Sequence, residues 1–191
     1  MLFNSQDIYL KESRMRLREN AFKYWEIIEN SQIGIVLTDS DGNVFENNNA
    51  ASEISKSGEK VLDTPNMPIF LSKYNVPKTF SNTAIKDKNG VLLMHLILIS
   101  NINTPKLKVK CIKNLNILKK NLRSLARELS NSFMYPAFIN INPNGEGDIS
   151  LGEHELNQWI SLISDYEKRL CHASQPHAPE FLSQKNNQLV A

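Results

Sequence analysis

The stretch Ile33–Ile54, IGIVLTDSDGNVFENNNAASEI, constrains the fold more than any other part of the chain. Ile33, Ile35 and Leu37 alternate with Gly34, Val36 and Thr38. A period of two places Ile33, Ile35 and Leu37 on one face of a strand. Asp39-Ser40-Asp41-Gly42 then supplies a reversal. Asp side chains bond the nearby backbone, and glycine takes positive φ without steric cost. Asn43–Asn47 reads as the returning strand. Asn48 or Asn49 is placed to cap a short helix, because its side-chain oxygen can accept from amides that lack helical partners. Ala50, Ala51 and Ile54 would form the inner face of that helix.

A second hairpin is expected further on. Thr79–Lys86 alternates, Asp87-Lys88-Asn89-Gly90 contains an Asn-Gly turn signal, and Val91–Ser100 returns. The return strand is apolar on both faces, which predicts a central strand covered on both sides. Between the hairpins, Ser55–Lys78 holds Pro65, Pro68 and Pro77 and reads as loop with short helical turns. Pro105 has no amide hydrogen and ends the sheet-forming part.

Helices flank these strands. Over Tyr9–Asn30, Leu10, Leu17 and Tyr24 recur every seven residues, Ala21 and Ile28 fill the adjoining stripe, and Phe22 and Trp25 widen it. After Pro105, apolar residues fall at Cys111, Leu115, Leu118, Leu122, Leu125 and Leu129, in steps of four and three. Such a seam suits a dimeric coiled coil or a helix packed in its own core. The basic flanks Lys119, Lys120, Arg123 and Arg127 leave it narrow, which favours a dimer helix through Leu115, Leu118, Leu122, Leu125 and Leu129.

Thr38-Asp39, Asp41-Gly42-Asn43 and Asn49-Ala50-Ala51 resemble the opening of a PAS domain, over about residues 30–103. The resemblance implies an α+β fold: an antiparallel sheet with short helices, flanked by amphipathic helices, with a small helical C-terminal segment. It also implies a sensor or regulator, for instance in transcription, that works by ligand or partner binding and often as a homodimer. A small molecule would sit in the cavity beside the sheet, its identity unknown. The expected organisation is an N-terminal helix at 1–29, the PAS-like module at 30–103, a helical linker at 104–135, a small helical segment at 136–170 and a disordered tail at 171–191.

Charge suggests a second kind of partner. The net charge is only +2, but Lys106–Met134 carries eight Lys or Arg against the single acid Glu128, and the segment after Met134 carries seven acids against three bases. The basic 106–127 helix could meet an anionic partner, nucleic acid included, or the acidic segment.

A metal reading is open at Asn142–Glu153, NPNGEGDISLGE. On the EF-hand spacing, Asn142, Asn144, Glu146, Asp148, Ser150 and Glu153 would converge on calcium around Gly147. Asn in place of Asp at the first position, and the nearby Pro136 and Pro143, argue instead for a turn, with Ser150 as N-cap and Glu153 completing a capping box. Ile149–Ile160 also resembles the first helix of a LuxR-type DNA-binding domain, but nothing after it reads as a recognition helix.

No nucleophile–base pair, phosphate loop or dinucleotide fingerprint is present, so catalysis is not expected. Cys111 and Cys171 read as free thiols in a reducing compartment. His95 reads as a core histidine, and His172 and His177 with Cys171 are too sparse for zinc. With an acidic rather than apolar N-terminal stretch and no run long enough to span a bilayer, a cytoplasmic protein with no membrane partner is expected.

Overall fold

The structure, a computed structural model, describes residues 5–54, 80–100, 102, 104–132, 137–141 and 149–172. Helix α1 spans Ser5–Glu29, and strands β1 (Gly34–Thr38) and β2 (Val44–Asn47) follow. Next come helix α2 (Asn49–Ile54), strands β3 (Phe80–Lys86) and β4 (Leu92–Ile99), and the long helix α3 (Pro105–Ser130). A small hairpin, β5 (Ile139–Ile141) with β6 (Ile149–Leu151), leads into helix α4 (Glu153–His172).

The two expected hairpins form the sheet. Its order is β2-β1-β4-β3, with every neighbouring pair antiparallel. The fold is therefore α+β. Both hairpin loops use one device. Asp39 Oδ1 accepts from the amides of Asp41 at 2.9 Å and Asn43 at 2.8 Å, and Asp87 Oδ1 accepts from Asn89 and Val91, both at 2.8 Å. Gly42 and Gly90 take φ of +86° and +83°, the left-handed region where a β-carbon would be strained. Asp39 is partly buried, which opposes ionisation. Hydrogen bonds from the Asn43 side chain and from the amides of Asn43, Asp41 and Gly42 outweigh this and hold its carboxyl below the usual range.

Strand β4 is central and buried on both faces, as its continuous apolarity predicts. One face carries Ile35, Leu37, Ile85, Met94, Leu96 and Leu98 into the main core. Over it lie Tyr24 and Ile28 of α1, the leucines of α3, and Leu156, Trp159, Ile163 and Tyr166 of α4. The opposite face buries Val36, Ile97 and Ile99.

The leucine seam of α3 is committed within the chain. Cys111, Leu115, Leu118, Leu122, Leu125 and Leu129 are each at most 5% exposed. Its partner is the apolar face of α4, which repeats the same three- and four-residue steps. This corrects the expectation of a dimer helix through Leu115–Leu129. Two amphipathic helices in one chain satisfy each other, and spacing alone does not distinguish that from pairing between chains. A partly buried ion pair, Lys119 with Glu167, fixes the register of α3 against α4, and Lys23 with Glu128 ties α1 to α3 at the surface.

Helix α4 is also fastened to the edge strand. Lys86 donates its amide to Gln158 Oε1 at 3.0 Å and accepts from Gln158 Nε2 at 2.6 Å, so a side chain pairs with the strand where its register shifts. About 16 Å further along the helix, at 1.5 Å per residue, Arg169 donates to Ser81 Oγ at 2.6 Å. The segments expected as linker and separate helical piece thus share the sheet's core.

Candidate functional site at the junction of helix α1 and the sheet

Asn48 is the centre of the junction. It is fully buried and caps α2. Its Oδ1 accepts from the amides of Ile35 at 2.9 Å and Ala51 at 3.0 Å. Its Nδ2 donates to the carbonyls of Ile28 at 2.9 Å and Ile33 at 2.8 Å. Its backbone amide donates to Ile35 O at 3.1 Å. One side chain therefore holds the end of α1, the start of β1 and the first turn of α2, with its full donor and acceptor capacity used. Glu29, at the end of α1, accepts from the amide of Asn49 at 3.2 Å and adds an anion at the N-terminus of α2.

Beside this hub lies a carboxyl that the fold partly withdraws from water. Glu46 stands opposite Leu37 in the β1–β2 ladder, so it shares the face covered by α1. Burial pushes its carboxyl up to about 8, and the charge of Glu29 adds to the shift. Tyr24 of α1 is wholly buried, and its phenol is pushed well above its ordinary value by burial, with Glu46 contributing. Its ring meets Trp159 of α4 edge-on at 5.9 Å and Trp25 at 5.3 Å. Glu46 Oε2, Tyr24 Oη and Trp159 Nε1 are all buried without a hydrogen-bond partner. Such atoms cost free energy, and they cluster where α1, the sheet and α4 meet. The junction can take up or release a proton near neutrality. It contains no nucleophile–base pair.

The residues singled out in the sequence fall elsewhere. Asn142, Asn144, Glu146 and Asp148 lie outside the described residues. Ser150 sits in β6 and donates to Asn140 Oδ1 at 3.1 Å, and Glu153 is the exposed first residue of α4. The cap also differs from the expected one. Gly152 is the N-cap, and Glu155, three residues later, accepts its amide at 2.8 Å through Oε2. The expected frame was two residues early, because Ser150 is drawn into the hairpin. Among the described residues no group of three His, Cys, Asp or Glu could hold a metal ion. Ile149–Leu151, expected as the start of a helix, is strand.

His95 is half-buried on β4, paired in register with Thr38 and Ala84. Cys111 and Cys171 are both free thiols. Burial pushes the Cys111 thiol up, against a hydrogen bond with Ser100. Cys171 and His172 close α4, so the helix runs past the expected boundary at 170, and the expected disordered tail from 173 on lies outside the described residues. Among the described residues no helix is long and apolar enough to cross a membrane.

No family model, curated protein or solved structure matches the chain. The functional reading therefore rests on the molecule's own geometry. Within that geometry, Glu46 is the site residue that sequence reasoning missed. Its only signal was an acid placed opposite an apolar strand position.

Proposed function

We propose that this chain is a cytoplasmic PAS-like regulatory module that acts by binding and self-association rather than by catalysis. The two antiparallel hairpins, the capped short helix after β2 and the flanking helices support the PAS-like reading, and the free cysteines suit a reducing compartment. A ligand or partner at the sheet would be relayed to α1 through Asn48 and Glu46, provided it binds two arrangements of that junction unequally.

The observation that carries self-association is the outer face of α1. Ile8, Met15 and Phe22 recur every seven residues and are 49%, 53% and 69% exposed. Lys11 and Arg18 run along one side of this stripe, and Glu12, Glu19 and Glu26 along the other. In a parallel pair related by a two-fold axis, the basic column of one helix meets the acidic column of its partner. In an antiparallel pair, like charges would meet. The geometry therefore favours a parallel pair of α1 helices.

Sedimentation analysis of the full chain tests this. Met15→Glu with Phe22→Glu is expected to weaken dimerisation at least about 100-fold, since each copy loses two apolar anchors. Under oxidation, Met15→Cys should crosslink to its own counterpart in a parallel pair. A wild-type monomer at all concentrations, or a dimer indifferent to the double substitution, would overturn the reading.

A further inference from the structure

The outward face of α3 has no role in the fold or in the pairing of α1. Lys106, Lys113, Lys120 and Arg127 are spaced by seven residues, with Lys110 and Arg123 beside them. All six are exposed. None is in an ion pair among the described residues, where the cations so engaged are Arg16, Lys23, Lys119 and Lys168. The only acid in α3, Glu128, is taken up by Lys23.

Helix geometry turns the spacing into a line. A seven-residue repeat drifts by roughly 20° per step on a straight helix, so the four heptad-spaced cations stay within a band about 60° wide. The buried seam through Leu115, Leu122 and Leu129 lies on the opposite side. From Lys106 to Arg127 the line is about 32 Å long at 1.5 Å per residue. One turn of duplex DNA spans about 34–36 Å.

We infer that this face of α3 binds the phosphate backbone of duplex nucleic acid. A duplex presents about one negative charge per 1.7 Å of axis, and a row of cations matches it by displacing counterions. Nothing on the face supplies direct readout at a base edge in the manner of an inserted recognition helix, so the contact is sequence-independent. A membrane surface fits less well. An interfacial helix needs a broad apolar face to bury in lipid, whereas the leucines of α3 are spent on the core and only Leu107, Val109 and Ile117 remain exposed. An acidic protein partner fits less well too, because the face lacks the aromatic anchors that dominate such interfaces.

The inference does not depend on pairing of α1, since a monomer presents the same row. It is tested by fluorescence anisotropy of the full chain with a labelled mixed-sequence duplex about two turns long. Between about 50 and 200 mM salt, affinity should fall some 10²- to 10³-fold, a log–log slope of about −4 to −5 for four to six phosphates. Lys113→Gln with Lys120→Gln should flatten the slope by about 2. Both residues are exposed, so the thermal unfolding profile should not change. Lys11→Gln with Arg18→Gln, on α1, should leave the slope as it was. Absence of binding at the lowest salt, a slope indifferent to the α3 substitutions, or stronger retention on vesicles rich in phosphatidylserine than on the duplex would each overturn the assignment.

Discussion

Replacing Asn48 by Ala should destabilise the protein by about 3–4 kcal/mol, enough to threaten folding of an ordinary domain. The side chain makes four hydrogen bonds, to Ile28, Ile33, Ile35 and Ala51, at 2.8–3.0 Å. Each is worth about 1 kcal/mol net, and the buried backbone groups left behind cannot all recover water. The loss of an N-cap alone costs about 1 kcal/mol, so a larger figure separates the hub role from simple capping. Asn48→Asp sharpens the test. It retains the acceptors for Ile35 and Ala51, but it turns the donors into a carboxylate facing the carbonyls of Ile28 and Ile33. That variant should be at least as unstable at neutral pH. Urea unfolding monitored through the two tryptophans reads both. A loss of only about 1 kcal/mol in Asn48→Ala would reduce Asn48 to a cap.

The second large effect is a pH dependence with an unusual sign. Glu46 has its carboxyl raised to about 8 in the folded chain, against an ordinary value of 4.5. Between those values the folded state holds a proton that the unfolded state has released. Stability from this group is therefore complete below pH 4.5, declines as pH rises through the interval, and levels off above about 8. Allowing for the solvent that reaches a half-buried side chain, the decline is about 2–4 kcal/mol. Glu46→Gln keeps the shape and removes the titration. It should match the wild type near pH 5 and exceed it by about 2–4 kcal/mol near pH 9. Glu29→Gln removes the neighbouring charge and should lower the Glu46 midpoint. Parallel urea titrations across that range test all three. Identical pH profiles for wild type and Glu46→Gln would refute the buried acid.

On the proposed reading, ionisation of Glu46 beside Tyr24 of α1 would bear on function as well as stability. In the proposed dimer this would couple proton release to the geometry of the α1 pair. Sedimentation of Glu46→Gln should then lose any pH dependence of association that the wild type has.

Local chemistry explains which parts of the molecule were readable in advance. The hairpins at Asp39–Gly42 and Asp87–Gly90 were legible because an Asp acceptor and a positive-φ glycine leave few other conformations. Strands β1 and β3 followed from period two, β4 from continuous apolarity and β2 from its place after the Asp-Gly turn, and the three long helices followed from three- and four-residue steps. The destination of a periodic face was not legible. Leu115–Leu129 would look the same against a second chain as against Leu156, Trp159 and Ile163 of α4. On α1, Leu10 of the expected stripe is half-exposed, while Ser13 and Asn20 are buried, because α1 leans on β5 and α3 along a polar flank. The strands β5 and β6 are too short to show a period, and the Gly, Asn and Pro around them read only as turn. Glu46 was hidden for a different reason. A glutamate in a short strand is ordinarily solvated, and only its tertiary surroundings withdraw it partly from water.

The two clamps of α4 on β3, Gln158 to the backbone of Lys86 and Arg169 to Ser81, carry a consequence for how the chain can be divided. A polypeptide ending after α3 would leave the leucine seam bare and the edge strand unguarded. Supplied separately, residues 137–172 would carry both the missing apolar face and the two polar keys that set its register. Mixed with such a polypeptide, residues 137–172 are therefore expected to bind it through that apolar face and those two polar keys.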